Sequence, residues 1–122
     1  LSISEAEPLG PKKMLDCIVV APCTSNTLGK LALGVVDTTV TMAVKSMLRN
    51  EMPVVIALAT NDALRCSAKN IGLLLNTRNY YFVPMGQDAP AQKPASVVAH
   101  FERLQETVEA ALTGKQIQPL VI

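Results

Sequence analysis

The sequence predicts an α/β protein built on an open, three-layer α/β/α parallel sheet. Three observations lead there. Short apolar, β-branched or aromatic runs recur at residues 17–20, 54–58 and 80–83. The first two are too short and too evenly apolar for amphipathic helices, and suit strands covered on both faces. Each run empties into a turn rich in Pro, Ser, Thr, Asn or Gly, and behind each turn apolar residues return at helical spacing. Such alternation makes βα units, which assemble into a parallel sheet with helices on its faces.

Residues 1–15 carry Pro8, Gly10 and Pro11 among Glu5, Glu7, Lys12 and Lys13, a breaker-rich composition that suits a surface loop or a lid over a ligand. The first strand is expected to end at Pro22, which has no ladder N–H to donate. Thr24, Ser25, Asn26 and Thr27 then precede Leu28, Leu31 and Ala32. This places a helix over residues 25–33, stopped by Gly34, whose tolerance of the left-handed conformation suits a helix terminus. A second helix, capped by Asp37, carries Val40, Ala43, Val44, Met47 and Leu48 on one face and Thr41, Lys45 and Arg49 on the other.

Pro53 opens the second strand, which leaves the sheet through Thr60, Asn61 and Asp62. Asn61 or Asp62 can cap a helix carrying Leu64, Ala68, Ile71 and Leu75. The third strand runs into the breaker-rich residues 84–94, where Gln87, Asp88 and Lys93 are the chemically capable side chains. Ser96 is expected to cap a last long helix in which Val97, Phe101, Leu104, Val108 and Ala111 repeat until Gly114 stops it. His100, the only histidine, falls near the start of that helix with no Ser, Cys or carboxylate positioned to work with it. It reads as a helix-surface residue rather than a catalyst.

Composition narrows the function. At 122 residues and 13.0 kDa the chain is one domain, and 49% hydrophobic residues with 17% charged suffice for a packed core. A net charge of +1 with scattered Lys and Arg speaks against nucleic acid. Cys17, Cys23 and Cys66 stand at no metal-ligand spacing and read as reduced, intracellular thiols, so no metal is expected. No apolar run approaches the roughly 18 residues of a membrane span, and the cytoplasm is the expected compartment. The chain begins at Leu1 without an initiator Met, and three strands are few beside the roughly five or six of such sheets. We therefore expect the carboxyl-terminal portion of a longer polypeptide, lacking one or more N-terminal βα units.

Two strand exits are candidate sites. At residues 24–27 the free N–H groups of a helix start would sit at the carboxyl end of a parallel strand, where phosphates and cofactors bind in open α/β sheets. The same side chains could do no more than cap their helix. No Gly-x-Gly-x-x-Gly and no Walker lysine is present, which weakens classical dinucleotide and P-loop readings. At the second exit, the Asn61 amide can donate to a carboxylate and accept from a ring N–H, or simply cap.

Pro22-Cys-Thr-Ser-Asn-Thr27, followed by Lys30, Ala32, Gly34, Asp37 and Thr41, resembles the Pro-Ala-Ser-Ala-Asn-Thr signature of the flavin-dependent cysteine decarboxylase superfamily. Pro22, Asn26 and Thr27 match, while Cys23, Thr24 and Ser25 replace Ala, Ser and Ala. The resemblance implies a flavodoxin- or Rossmann-like fold, a flavin mononucleotide (FMN) bound at Pro22, Thr24, Ser25, Asn26 and Thr27, and a homo-oligomer. Leu58-Ala59-Thr60-Asn61 stands where those decarboxylases hold the substrate carboxylate with Pro-Ala-Met-Asn. Asn61 is thereby implied as substrate-binding, and the loss of Pro and Met points to a ligand other than a peptidyl cysteine.

Ala21 to Lys30, Tyr80 to Asp88 with Lys93 and Pro94, and Gly114 to Pro119 resemble one branch of that superfamily, the B subunits of bacterial dipicolinate synthases. That likeness implies work with an A subunit in oxidising a dihydrodipicolinate-type precursor to pyridine-2,6-dicarboxylate in the mother cell of a sporulating bacterium. The electron acceptor is then FMN here, NAD(P) on the A subunit, or both. The superfamily's catalytic His lies in a region preceding this chain and is not transferred to His100, so no catalytic residue is assigned. The competing readings are an FMN-dependent decarboxylase or flavin prenyltransferase of the same fold, and a non-catalytic scaffold subunit.

Overall fold

In the structure, a computed structural model that describes residues 16–122, the middle strand organises everything else. Expectations for residues 1–15 lie outside the described residues. Strand β2 (Val54–Thr60) has β1 (Ile18–Cys23) parallel on one side and β3 (Tyr80–Phe82) parallel on the other. Its uniformly apolar sequence is explained by burial on both faces: residues 54–58 are fully inaccessible. Val54, Ile56 and Leu58 pack into the larger core with Ile18, Val20, Phe82 and the helices above, while Val55 and Ala57 face a smaller core on the opposite side.

Helix α1 (Ser25–Leu33) ends at Gly34, whose φ of 75° is the left-handed conformation its sequence position implied. It is followed by α2 (Thr39–Arg49), which buries Ala43, Val44 and Met47. Asp37 does not cap α2; its carboxylate instead meets Lys30 at 3.1 Å. Thr38 takes the cap, accepting from the Thr41 N–H at 3.1 Å while the Thr41 hydroxyl accepts from the Thr38 N–H at 2.9 Å. Reciprocal bonding of this kind satisfies two helix-start donors and draws Thr41 out of the solvent-facing stripe where helical periodicity put it. Thr41 is buried.

Pro22 does not end β1. The strand continues to Cys23 across a register shift between Val20 and Cys23, and an irregular stretch of ladder tolerates a residue with no N–H. Behind β2, residues 61–67 form turns before α3 (Ala68–Leu75) begins, so neither Asn61 nor Asp62 caps a helix.

The largest departure lies after β3. Residues 97–99 form a strand rather than the first turn of the last helix: β5 (Val97–Ala99) runs antiparallel to the end of β2, pairing Ala59 with Val98 and Thr60 with Val97. Strand β4 (Met85–Gly86) pairs with its outer side. The sheet is therefore mixed, with a parallel core and an antiparallel flank. The reason is physical: β2 outruns β3, and its last residues need ladder partners. The adjacent β-branched pair Val97-Val98 supplies them. Only after a 3₁₀ turn (Phe101–Arg103) does α4 (Leu104–Leu112) start, covering the smaller core with Leu104, Val108 and Ala111. With α1, α2 and α3 on one face and α4 on the other, the layers are those of a Rossmann-like α/β/α fold.

Candidate functional site

The two strand exits singled out in the sequence meet. Thr24 and Ser25, where β1 gives way to α1, line one cleft with Ala59, Thr60 and Asn61, where β2 leaves the sheet. Asp88, Lys93 and Ser96 of the β4–β5 connection and Val98 of β5 complete it, and its volume is about 330 Å³. Two larger grooves, of about 470 and 370 Å³, lie between α1 and α2 and between α3 and the carboxyl-terminal segment. Both are walled largely by apolar surface, although the first also carries Lys30, Lys45 and Arg49, and neither contains the exit of β1 or of β2. The chemistry converges on the smaller cleft.

At the helix start, Thr24 occupies the cap position with φ −85° and ψ 169°, yet its side chain makes no capping hydrogen bond. Its carbonyl accepts from the Leu28 N–H at 2.9 Å, so α1 is properly begun. The first amides of a helix have no acceptor within it. Those of Ser25, Asn26 and Thr27 thus carry the positive end of the helix without a side-chain cap, and the first turn holds no acidic residue to offset them. Of the five sequence-predicted cofactor contacts, Thr24 and Ser25 line the cleft, whereas Pro22, Asn26 and Thr27 do not. Pro22 and Asn26 are exposed, and Thr27, in the first turn of α1, is half-buried. Cys23, immediately before the turn, is buried, and burial pushes its thiol up to about 12.

Asn61, the predicted substrate contact, is exposed on a turn held from below. The Asp62 carboxylate accepts from the Thr60 hydroxyl at 2.6 Å and from the Ser67 hydroxyl at 2.7 Å, and these bonds hold it below the usual carboxylate range. The Leu64 N–H donates to the Ala95 carbonyl at 3.0 Å, which joins this turn to the β4–β5 connection. Ser96, expected as a helix cap, instead lies buried in the lining of the cleft. Ser96 and Val98 are the site residues that the helical reading of residues 96–111 hid; the Val97-Val98 pair was the signal that could have found them. His100 stands at the start of the 3₁₀ turn, away from the cleft lining.

The arrangement offers uncapped helix amides, an Asn amide, a lysine and a carboxylate around one opening, which suits an anionic ligand with polar ring edges. Among the described residues no cluster of His, Cys, Asp and Glu could hold a metal ion, and no helix is long and apolar enough to cross a membrane. The sequence profile of the family described as Flavoprotein matches residues 3–113. The chain belongs to the flavoprotein family. Its relatives there include the dipicolinate synthase B subunit of Bacillus subtilis (strain 168), 48% identical over 121 residues, which are 99% of this chain and 60% of that protein. The crystal structure of the dipicolinate synthase B subunit from Bacillus halodurans C superposes with a TM-score of 0.92 at 51% identity, covering 99% of this flavoprotein chain and 62% of the other. A more distant flavoprotein structure, the FMN-dependent cysteine decarboxylase SpaF, gives a TM-score of 0.63 at 26% identity over 88% of this chain and 56% of that one. The chain spans about three-fifths of the length of the two dipicolinate synthase proteins it matches.

Proposed function

We propose that this chain is part of the B subunit of a dipicolinate synthase, that it binds FMN, and that it works with an A subunit to oxidise a dihydrodipicolinate-type precursor to pyridine-2,6-dicarboxylate. The observation that carries the reading is the convergence of the two strand exits on one cleft, with the helix start between them left uncapped. Its similarity to dipicolinate synthase B subunits over nearly its whole length supports the choice of reaction. The residues fit the cofactor: the amides of Ser25, Asn26 and Thr27 suit a phosphate or the ribityl oxygens, and Asn61 suits a polar ring edge or a carboxylate. Bound there, a flavin supplies an acceptor for the two hydrogens the ring loses on becoming aromatic; a nicotinamide on the A subunit is the other acceptor of that class.

The test begins with the colour of the complete polypeptide purified with its partner subunit. A flavin spectrum whose chromophore leaves on denaturation supports the reading, whereas colourless protein that still activates the A subunit favours a scaffold. The site itself is tested by Ser25→Pro. Proline is well tolerated at the first position of a helix, and Thr24 already has the extended backbone that a following proline requires. The variant deletes one amide and leaves the helix. Flavin affinity should fall about tenfold or more, the worth of a hydrogen bond to a charged group. Unchanged affinity would remove the flavin from this turn.

A further inference from the structure

We propose that Lys93 anchors a carboxylate of the ring substrate, which makes the β4–β5 connection the specificity element of the cleft. The inference rests on the dipicolinate reading above and goes beyond it in assigning the recognition to a side chain outside both strand exits.

Lys93 is the one cation among the residues that line the cleft, and it shares that lining with Ser25 and Asn61. Among the described residues its ammonium has no carboxylate within 4.0 Å; five other described Lys and Arg side chains also lack one, but of these unpaired cations Lys93 is the one in the cleft lining. Asp88 is the acid in the same lining, and its carboxylate does not come within that distance of the ammonium. The charge on Lys93 is thus available to a ligand.

Its backbone, by contrast, is held. The Lys93 N–H donates to the Ala89 carbonyl at 2.6 Å, and the Lys93 carbonyl accepts from the Ser96 N–H at 3.1 Å. Gln87 closes the connection from the other side, its Nε2 donating to the Pro94 carbonyl at 3.0 Å. A fixed root under a flexible four-carbon stem lets an ammonium find a carboxylate over a range of positions without reordering the loop. With the helix amides engaged by the cofactor, a substrate carboxylate needs another positive partner, and Lys93 is the candidate the cleft contains.

The test uses the two-subunit complex with its flavin, comparing Lys93→Gln, Lys93→Arg and Asp88→Asn. Binding of pyridine-2,6-dicarboxylate is followed by calorimetry at two salt concentrations, and flavin content is recorded for each variant. Lys93→Gln should weaken dicarboxylate binding about tenfold and flatten its salt dependence while the flavin content stays at the wild-type level. Lys93→Arg should recover most of the affinity, and Asp88→Asn should have the smaller effect. Dicarboxylate affinity within twofold of wild type in Lys93→Gln overturns the assignment, as does failure of the wild-type complex to bind the dicarboxylate. Neither result touches the flavin site, which stands or falls with Ser25→Pro.

Discussion

The side-chain amide of Gln116 pairs with both backbone groups of Phe82. Its Nε2 donates to the Phe82 carbonyl at 2.6 Å, and the Phe82 N–H donates to its Oε1 at 2.7 Å. Phe82 lies opposite Ile56 in the β2–β3 ladder, where the inter-strand bond is donated by the Val83 N–H to the Ile56 carbonyl. The N–H and C=O of Phe82 therefore face away from β2, and Gln116 closes that edge as a strand would. Gln116→Ala would leave both groups of a fully buried residue unpaired. A loss of about 1–3 kcal/mol is expected, read as a lower urea midpoint at unchanged slope.

Gly86 is wedged between the carbonyl oxygen of Ile122 and the His100 ring, and an added β-carbon would collide with the first and press on the second at 3.2 Å from Nε2. Backbone cannot yield as a side chain tip can. Gly86→Ala should therefore detach the terminal segment from β4, where the Ile122 N–H donates to the Met85 carbonyl at 2.9 Å and the Met85 N–H to the Leu120 carbonyl at 2.8 Å. Hydrogen exchange at the Met85 and Ile122 amides should accelerate, with an overall destabilisation of about 1–3 kcal/mol.

Asp62 makes stability depend on acid. Its carboxyl titrates below its ordinary value because Thr60 and Ser67 both donate to the ionised form. A group with a depressed folded-state pKa contributes stability above its unfolded pKa and loses it as the pH falls through the folded one. Wild type should thus exceed Asp62→Asn in thermal stability at neutral pH, and the gap should close on acidification below the ordinary aspartate range. A gap independent of pH would show that the turn is held by something other than the carboxylate charge.

The thiols should separate by reactivity. Burial pushes Cys17 up to about 11 and Cys23 to about 12, while Cys66 is exposed on the turns before α3. A thiol-specific reagent at neutral pH should label Cys66 rapidly in the native protein and reach Cys17 and Cys23 only on unfolding. Rapid native labelling of Cys23 would mean that the turn into α1 opens.

Much of this was legible before any coordinates. The apolar run of β2, the helix over residues 25–33 and its Gly34 terminus follow from periodicity and from residues with one dominant conformational preference. What escaped were relationships between segments. Val97 fits a helical repeat with Phe101 and Leu104 as well as it fits a strand, and only the unpaired end of β2 decides between them. Asp37 and Thr38 are both good caps, and the side chain at Thr41 selects the second. In the site, Thr24, Ser25 and Asn61 could be named from local pattern. Ser96 and Val98 could not, because their place depends on a strand pairing that local sequence does not determine.

The split flank of the sheet has one last consequence. Because β4 and β5 are adjacent and antiparallel, residues 87–96 depart from and return to neighbouring ladder positions, and their two ends stay together whatever lies between. The cleft's third wall is in effect an exchangeable cassette: it can be lengthened, shortened or recharged without re-registering a single core strand. Sequence change can then accumulate there without disturbing the turn into α1 or the packing beneath it.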